Sequence, residues 1–234
     1  MKILIIGGMH GNEPLGISIV EQLKARPIDN VSAVIANPEA KQQNVRFTNN
    51  DLNRSFPGSG DSYEEKRARY LLELCKGFDL VLDFHNTHCP ENDCVFVGEG
   101  AGETLFDAAS SIGLPRVIVA DYDCINKYAP NCMSVEISLD SPLNDVETWL
   151  HTIEALTQMA SLPVAQDIVK YRFVYRMTLD DDMRLGLRDM KLRAFQPLDS
   201  ATADALGVSS PAYPIFIGDA YTSYNYGGVL REIV

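Results

Sequence analysis

The chain has 234 residues, enough for one large domain or one domain with a smaller appendage, and 46% of them are hydrophobic, which excludes a disordered chain. Its 20 basic and 32 acidic residues give a net charge of −12 without a long basic run, so we expect neither nucleic acid nor a membrane as a partner. Five cysteines without a C-x-x-C motif fit reduced thiols, and no apolar stretch is long enough for export or bilayer crossing, so we expect a cytoplasmic protein.

The first predicted element is a buried strand at residues 2–6, a short apolar run that ends at two glycines. A helix is predicted to follow, with Asn12 as its cap and Pro14 in its first turn. His10 and Glu13 thus lie at the carboxyl end of a strand, where open α/β sheets bind ligands. Because zinc accepts histidine nitrogen and carboxylate oxygen, we interpret this pair as half of a metal site.

The sequence of this loop allows two other interpretations. A histidine and a glutamate at this spacing can be unrelated, solvated side chains. The glycines also suggest a dinucleotide-binding loop, but the G-x-G-x-x-G pattern is absent and a histidine would crowd a pyrophosphate, so we set that interpretation aside. A catalytic zinc usually takes three protein ligands, so the metal hypothesis needs a third.

Strand and helix patterns then alternate along the chain. Residues 31–36 predict a strand, and a polar loop at residues 39–59 contains Arg46, Asn53 and Arg54. A capping box at Ser62 and Glu65 predicts a helix through Lys76, followed by strands at residues 79–84 and near Val95, Val117 and Val135, with helices near Leu105 and over residues 144–159.

This alternation predicts an α/β domain over residues 1–163, with a mostly parallel twisted sheet flanked by helices. From there to residue 234, short apolar runs separated by polar turns predict a small β-rich C-terminal domain, residues 164–234.

The third metal ligand is predicted to be His85, because it ends the strand at residues 79–84 and so reaches the same edge of the sheet. His88 is the rival; it is otherwise a polar loop residue or a hydrogen-bond donor to a ligand. Alternatively, His85, His88, Cys89 and Cys94 form a closed structural zinc site. Structural zinc sites usually draw their ligands in two separated pairs, and a closed site at these four residues would leave His10 and Glu13 without a role.

A general base is also needed beside a hydrolytic zinc, and Glu136 is the candidate. It lies in the otherwise apolar strand at residues 133–138, where burying a carboxylate is costly unless it is paired or used. The other interpretation is a glutamate that faces solvent from an edge strand.

These residues match one family. The sequence resembles the aspartoacylase and succinylglutamate desuccinylase family, a branch of the zinc carboxypeptidase superfamily. The match covers HGNE at residues 10–13, NP at 37–38, Arg46, DLNR at 51–54, DFHNT at 83–87, Tyr122, VE at 135–136 and YPIFI at 213–217. The resemblance implies a zinc-carboxypeptidase-like catalytic domain and a C-terminal domain that partly covers the active site.

The resemblance also implies a role for each matched residue. His10, Glu13 and His85 would hold one zinc ion per chain, and Glu136 would serve as general base and then general acid. Arg46 would face the scissile carbonyl oxygen, where a fixed cation stabilises an oxyanion. The residues expected to face the substrate are Asn53, Arg54, Tyr122, Asn126 and Tyr221.

Some of these roles have alternatives in the sequence. Without the resemblance, a surface salt bridge to Asp51 is the favoured interpretation of Arg54. Tyr221 aligns with the family's substrate-facing tyrosine only after a one-residue shift, and Tyr224 and Tyr226 are its neighbours.

Asn126 marks a departure from the family. Members specific for acylated aspartate carry an arginine ten residues before the general base, which corresponds to position 126 here. The adjacent Lys127 does not reproduce the bidentate fork of an arginine. We therefore expect a substrate other than N-acetylaspartate to be preferred, with a neutral or differently shaped side chain.

The sequence thus predicts a zinc-dependent amidohydrolase that deacylates a small-molecule N-acyl amino acid to a carboxylate and a free amino acid. A zinc carboxypeptidase acting on a short peptide is the nearest alternative. A non-catalytic protein that keeps the zinc cleft to bind a ligand is an alternative of another class. A homo-oligomer is compatible with the sequence, which does not specify the oligomeric state.

Overall fold

Nine strands form one sheet in the computed structural model, which describes residues 1–89, 91–218 and 225–233. The strands are β1 (Ile3–Gly7), β2 (Val31–Ile35), β3 (Leu80–Thr87), β4 (Cys94–Gly98), β5 (Arg116–Ala120), β6 (Cys132–Ser138), β7 (Val169–Thr178), β8 (Tyr213–Ile215) and β9 (Asn225–Ile233). Their order across the sheet is β2-β1-β3-β6-β4-β5-β7-β9-β8. The neighbours β4–β6, β7–β9 and β8–β9 are antiparallel and the others parallel. The predicted α/β fold with a mostly parallel sheet is confirmed.

Helices flank this sheet. They are α1 (Pro14–Ala25), α2 (Pro38–Gln43), α3 (Tyr63–Cys75), α4 (Glu103–Ser111), α5 (Ile125–Tyr128), α6 (Val146–Gln158), α7 (Leu179–Leu185) and α8 (Ser200–Ala205). The capping box of α3 is present as predicted. Within the described ranges, no helix combines the length and the apolar character needed to cross a bilayer.

Helix α2 was not predicted, and local caps explain it. The side chain of Asn37 accepts a hydrogen bond from the backbone N–H of Ala40 at 3.1 Å, and Pro38 occupies the first turn. Asn44 ends the helix in the left-handed conformation with φ 53°. The six residues lack an apolar stripe, so hydrophobic periodicity gave no signal for them.

The sheet buries apolar side chains on both faces. Ile3 and Ile5 of β1 pack in one cluster with Ile19 of α1 and Trp149 of α6. The alternate residues of the same strand pack in a second cluster with Leu71 of α3. All five residues of β1 are buried, which accounts for its continuous apolar run.

The cap of α1 differs from the prediction. The helix begins at Pro14, and Glu13 occupies the N-cap position without a side-chain capping bond. The backbone N–H of Leu15 donates instead to Asn86 Oδ1 of β3, at 2.9 Å. The assignment of Asn12 as the cap is therefore wrong, because a residue distant in sequence fills that role. Glu13 itself lies just before the first helical turn.

The C-terminal segment adds strands to the same sheet. β7 pairs in parallel with β5, from Arg116 opposite Val169 to Val119 opposite Arg172. β9 and β8 follow toward the edge. The division of the chain into two domains at residue 163 stays a prediction.

All five cysteines are free and buried, as expected for reduced thiols. Burial raises the pKa of Cys75 to about 12 and holds the pKa values of Cys94 and Cys132 well above their usual range. These thiols stay protonated at neutral pH and are poor nucleophiles.

Helix α1 approaches the sheet through Gly16. A methyl group at this position would lie 2.8 Å from Phe84 Cβ and 3.0 Å from Gly7 Cα. Gly16→Ala is therefore expected to lower the free energy of unfolding by about 1–3 kcal/mol, because overpacking forces the helix away from β1 and β3. Urea denaturation measures this change. The control is Gly100→Ala, where nothing lies within 4 Å of the added methyl group. Equal effects of the two substitutions would contradict a tight contact at Gly16.

Candidate active site

A buried carboxylate lies between two imidazoles at the carboxyl edge of β1 and β3. His10 follows β1, His85 lies within β3, and Glu13 precedes α1. Glu13 Oε1 is 2.6 Å from His10 Nδ1, and its Oε2 is 3.0 Å from His85 Nδ1. The three residues are 3%, 3% and 2% exposed, in chain order. The predicted cluster of His10, Glu13 and His85 is thus brought together by the fold.

The outer nitrogens of both rings are held by further carboxylates. His10 Nε2 lies 3.3 Å from Asp51 Oδ1, and His85 Nε2 lies 2.8 Å from Asp83 Oδ2. These contacts leave both Nδ1 atoms directed at Glu13. Such carboxylate contacts orient metal-binding imidazoles in proteins generally.

The cluster has the chemistry of a metal site. One ligand atom from each of His10, Glu13 and His85 lies within 4.8 Å of the other two. Two imidazole nitrogens and one carboxylate oxygen are a ligand set that zinc accepts, with a position left for water. Among the residues that the structure describes, no other group of this kind was found.

The alternative closed zinc site therefore finds no support in the described ranges. The side chain of His88 is exposed, and Cys89 Sγ donates a hydrogen bond to the carbonyl of Ile217 at 3.2 Å. Cys94 is fully buried on β4.

Opposite charges hold the cluster together. Burial by itself would raise the pKa of Glu13, but His10 and His85 outweigh it and lower that pKa far below its usual value. Burial likewise favours neutral imidazole, but Asp83 and Glu13 raise the pKa of His85 well above its usual value. A metal ion bound by His10 and His85 would have to displace protons from the rings, because the ion and the protons compete for the same nitrogen atoms.

Glu136 is placed beside this cluster by strand pairing. His85 of β3 is the register partner of Glu136 on the parallel strand β6. Partners at the same level of neighbouring strands face the same side of a sheet. The half-buried Glu136 also lines the cavity next to the cluster, so it is not a solvent-facing edge glutamate.

Arg46 bridges two carboxylates at the rim of the cluster. Its Nη1 is 3.5 Å from Glu13 Oε1, and its Nη2 is 3.5 Å from Asp51 Oδ2. Both contacts are at the outer limit of hydrogen bonding, so the guanidinium is weakly held by them. Asp51 is thus paired with Arg46 and His10, and no salt bridge to Arg54 is found in the described part of the chain.

Arg54 instead stacks on Tyr122. The guanidinium carbon lies 4.7 Å from the centre of the ring, and Nη1 donates to the carbonyl of Asn53 at 3.0 Å. The side-chain Oδ1 of Asn53 is buried without a hydrogen-bond partner within the described residues. Burial raises the pKa of Tyr122, against the opposing effect of Arg54, so its hydroxyl stays a neutral donor.

A cavity of about 150 Å³ joins these groups. Among the predicted site residues, those lining it are His10, Glu13, Arg46, Asn53, Arg54, Tyr122 and Glu136. His85 lies directly behind Glu13 and is not part of the wall.

Asn126 and Lys127 are not among the lining residues. Asn126 is 3% exposed, and Lys127 pairs with Asp121 at 3.4 Å and Asp123 at 3.2 Å. Tyr221 and Tyr224 lie outside the described residues, and Tyr226 is buried.

Sequence reasoning missed part of the cavity wall. Its remaining side chains are Asn86, Thr87, Phe96, Phe173, Arg176 and Phe216, with the backbone of Gly227 and Gly228. Arg176 on β7 makes no ion pair within the described ranges, and nothing in the pattern of that strand distinguishes it from Arg172. Asp83 could have been found, because it is a carboxylate inside an apolar strand like Glu136.

A family model described as the succinylglutamate desuccinylase/aspartoacylase catalytic domain matches residues 1–129. A rat N-acyl-aromatic-L-amino acid amidohydrolase (carboxylate-forming) is 34% identical over 116 residues, which cover 41% of this chain and 36% of the relative. Aspartoacylase from Xenopus tropicalis is 39% identical over 106 residues, which cover 37% of this chain and 34% of the relative. The match therefore spans about a third of the length of these relatives.

Two solved structures are similar across the whole chain. The succinylglutamate desuccinylase from Chromobacterium violaceum has a TM-score of 0.76 and 17% identity, with 100% of this chain and 85% of that chain covered. Murine aminoacylase 3 has a TM-score of 0.69 and 21% identity, with 100% and 95% covered. At this level of identity the likeness shows the fold, including the strands after residue 163.

Proposed function

The chain belongs to the succinylglutamate desuccinylase/aspartoacylase family, and from this premise we propose that it is a zinc-dependent amidohydrolase. The reaction is hydrolysis of the amide bond of a small N-acyl amino acid, which gives a carboxylate and a free amino acid. One observation carries the proposal: the buried cluster of His10, Glu13 and His85 adjoins a cavity that Glu136 also lines. The names of the relatives support the same reaction class.

The proposed cofactor is one zinc ion per chain, held by His10, Glu13 and His85. The ligand types and the separation of their atoms, all within 4.8 Å, support this choice. Zinc bound there would polarise the scissile carbonyl and lower the pKa of a water molecule to ~7.

Glu136 is proposed to move the proton. As general base it takes a proton from the attacking water, whose oxygen bonds to the acyl carbon. As general acid it returns that proton to the leaving nitrogen when the C–N bond breaks. Its position beside His85 in the sheet supports this role.

Two sets of polar groups are proposed to hold the substrate. Arg46, only weakly engaged by its carboxylates, faces the acyl oxygen and stabilises negative charge that develops there. Arg54, with Asn53 and the hydroxyl of Tyr122, binds the α-carboxylate, for which a guanidinium offers two parallel donors. We place the reaction in the cytoplasm, because five unpaired thiols suit a reducing compartment.

The purified protein is expected to contain about one zinc per chain, and removal of the metal by a chelator should abolish hydrolysis. His85→Ala should lose the metal, because it removes one of three ligands. His88→Ala, three residues away with an exposed side chain, is the matched control and should retain it. Metal analysis of both variants measures this. Retention of zinc by His85→Ala together with its loss from His88→Ala would reverse the ligand assignment.

Glu136→Gln is expected to keep the fold and the zinc and to lower kcat by about 10²–10⁴-fold, because it removes proton transfer at nearly constant volume. Steady-state kinetics with an N-acyl amino acid and with a short peptide measures the loss and tests the carboxypeptidase alternative. Glu154→Gln, which removes the same charge from the exposed face of α6, is the control. A kcat close to that of the parent would exclude Glu136 as the base. Tight ligand binding without turnover by the zinc-loaded parent would favour a binding protein.

The side chains of the cavity wall indicate which substrate side chain is preferred. Phe96 and Phe216 stack with their centroids 5.8 Å apart, and Phe173 contacts Tyr122 edge-on at 6.0 Å. Aromatic rings favour an apolar or aromatic substrate side chain. Asn126 supplies no cation, so we propose that an aromatic or other neutral side chain is preferred to aspartate. The presence of Arg176 in the cavity wall favours a second candidate, a substrate whose side chain carries a second carboxylate.

A panel of N-acetyl amino acids tests this choice. Without an arginine at position 126, N-acetylaspartate is expected to have a kcat/KM roughly ten- to a hundredfold below that of the best neutral derivative. Arg176→Ala should then leave the ranking unchanged, as should the control Arg172→Ala, whose parent residue pairs with Glu99. A tenfold preference of the parent for the aspartate derivative, lost only in Arg176→Ala, would instead assign Arg176 to the second carboxylate.

A further inference from the structure

A chain of buried polar groups links Asn126 to His85. The Nδ2 of Asn126 donates to Ser134 Oγ at 3.1 Å, and Ser134 Oγ lies 3.3 Å from Asp83 Oδ2. The same Asp83 oxygen accepts from His85 Nε2 at 2.8 Å. The four residues are at most 4% exposed, so water does not compete for these bonds.

The direction of donation in this series of hydrogen bonds is fixed at Asn126. Asn126 Nδ2 also lies 2.9 Å from the carbonyl oxygen of Phe96, which can only accept, so the amide must present its NH₂ group there. That group also donates to Ser134. The Ser134 proton can go to Asp83 or to Asn126 Oδ1, each at 3.3 Å, and the charged carboxylate is the stronger acceptor.

Strand pairing places these hydrogen-bonded groups directly beside the cluster of His10, Glu13 and His85. Asp83 and Ser134 are register partners on β3 and β6, and the next partners on the same face are His85 and Glu136. Helix α5, which carries Asn126, approaches β4 so closely that a Cβ at Gly98 would lie 2.2 Å from the Asn126 carbonyl oxygen. The packing of α5 thus holds Asn126 against the sheet.

Asp83 depends on these donors. It is fully buried, and its Oδ1 has no hydrogen-bond partner within the described residues. Its other oxygen therefore receives both available bonds, one from Ser134 and one from His85. Without the Ser134 bond the carboxylate could rotate, and His85 would lose the acceptor that keeps its proton on Nε2 and its Nδ1 toward Glu13.

We propose that Asn126 is a positioning residue that acts through Ser134 and Asp83 to fix the tautomer and orientation of His85, and that it does not touch the substrate. The inference rests on the proposed role of His85 as a metal ligand. It differs from the role that the family resemblance implies for position 126, which is to face the substrate.

The test is a double-mutant cycle with the zinc dissociation constant as its readout. Asn126→Ala and Ser134→Ala should each weaken zinc binding by about ten- to a hundredfold. The double variant should bind zinc no more weakly than Ser134→Ala alone, because both substitutions interrupt the same series of hydrogen bonds. KM for N-acyl amino acids should stay within about twofold of the parent value in zinc-saturated variants, because neither substitution removes a contact with the substrate.

Asn131→Ala is the matched control. Asn131 also donates from Nδ2 to two backbone carbonyls, those of Cys75 at 2.9 Å and Phe78 at 2.8 Å, and neither bond leads to His85. It should lower the melting temperature without changing zinc affinity. Unchanged zinc affinity in Asn126→Ala, additive effects in the double variant, or a raised KM at normal zinc affinity would overturn the proposal.

A second measurement needs no turnover. In the zinc-loaded parent, where the metal would occupy one nitrogen of the His85 ring, ¹⁵N shifts of that ring should show the remaining proton on Nε2, and Ser134→Ala should shift the Nε2–H resonance because Asp83 is no longer fixed. Single His→Gln variants distinguish the four histidines. A His85 ring that carries its proton on Nδ1 in the zinc-loaded parent would overturn the inference. If the parent binds zinc but hydrolyses no substrate, the proposed function fails while both readouts still test Asn126.

Discussion

Glu13 is a carboxylate with almost no exposure to water, and the arrangement around it follows from that constraint. An isolated buried carboxylate is too costly to persist, so its two oxygens must face compensating groups. His10 and His85 provide them, and each ring is held from behind by Asp51 or Asp83. Removal of any one of these groups would leave the remaining buried charges less well compensated.

The constraint also explains why the site draws on distant parts of the chain. The capping bond to α1 comes from Asn86 on β3, so Glu13 does not need to fold back on its own helix. Gly16 lets that helix approach β1 and β3 closely. The loop after α2 supplies Arg46 and Asp51, and β6 supplies Glu136 at the level of His85. Several elements therefore fix the geometry of one carboxylate.

The sequence predicted those features of the fold and the site that local patterns of residues encode. Apolar runs located β1 and β3, and the rule that parallel strands present their carboxyl ends together brought His10 and His85 to one edge. Contacts that depend on packing between distant elements were not predictable in this way. The cap from Asn86 depends on how β3 packs against α1. The aromatic rings and Arg176 of the cavity wall depend on how β4, β7 and the segment after β8 come together, and no spacing in the sequence reports either arrangement. Asn126 was recognised by position in a motif, which carries no information about where its side chain points.

Charge is distributed unevenly between the cavity and the rest of the protein. The whole chain carries a net charge of −12, whereas the cavity wall contains Arg46, Arg54 and Arg176 against Glu13 and Glu136. An anionic ligand is thus repelled at long range and attracted once it enters. Because the Debye length is about 8 Å at physiological salt, mobile ions weaken the long-range repulsion more than the attraction inside the cavity. Ionic strength therefore acts on how fast such a ligand arrives more than on how firmly it is held.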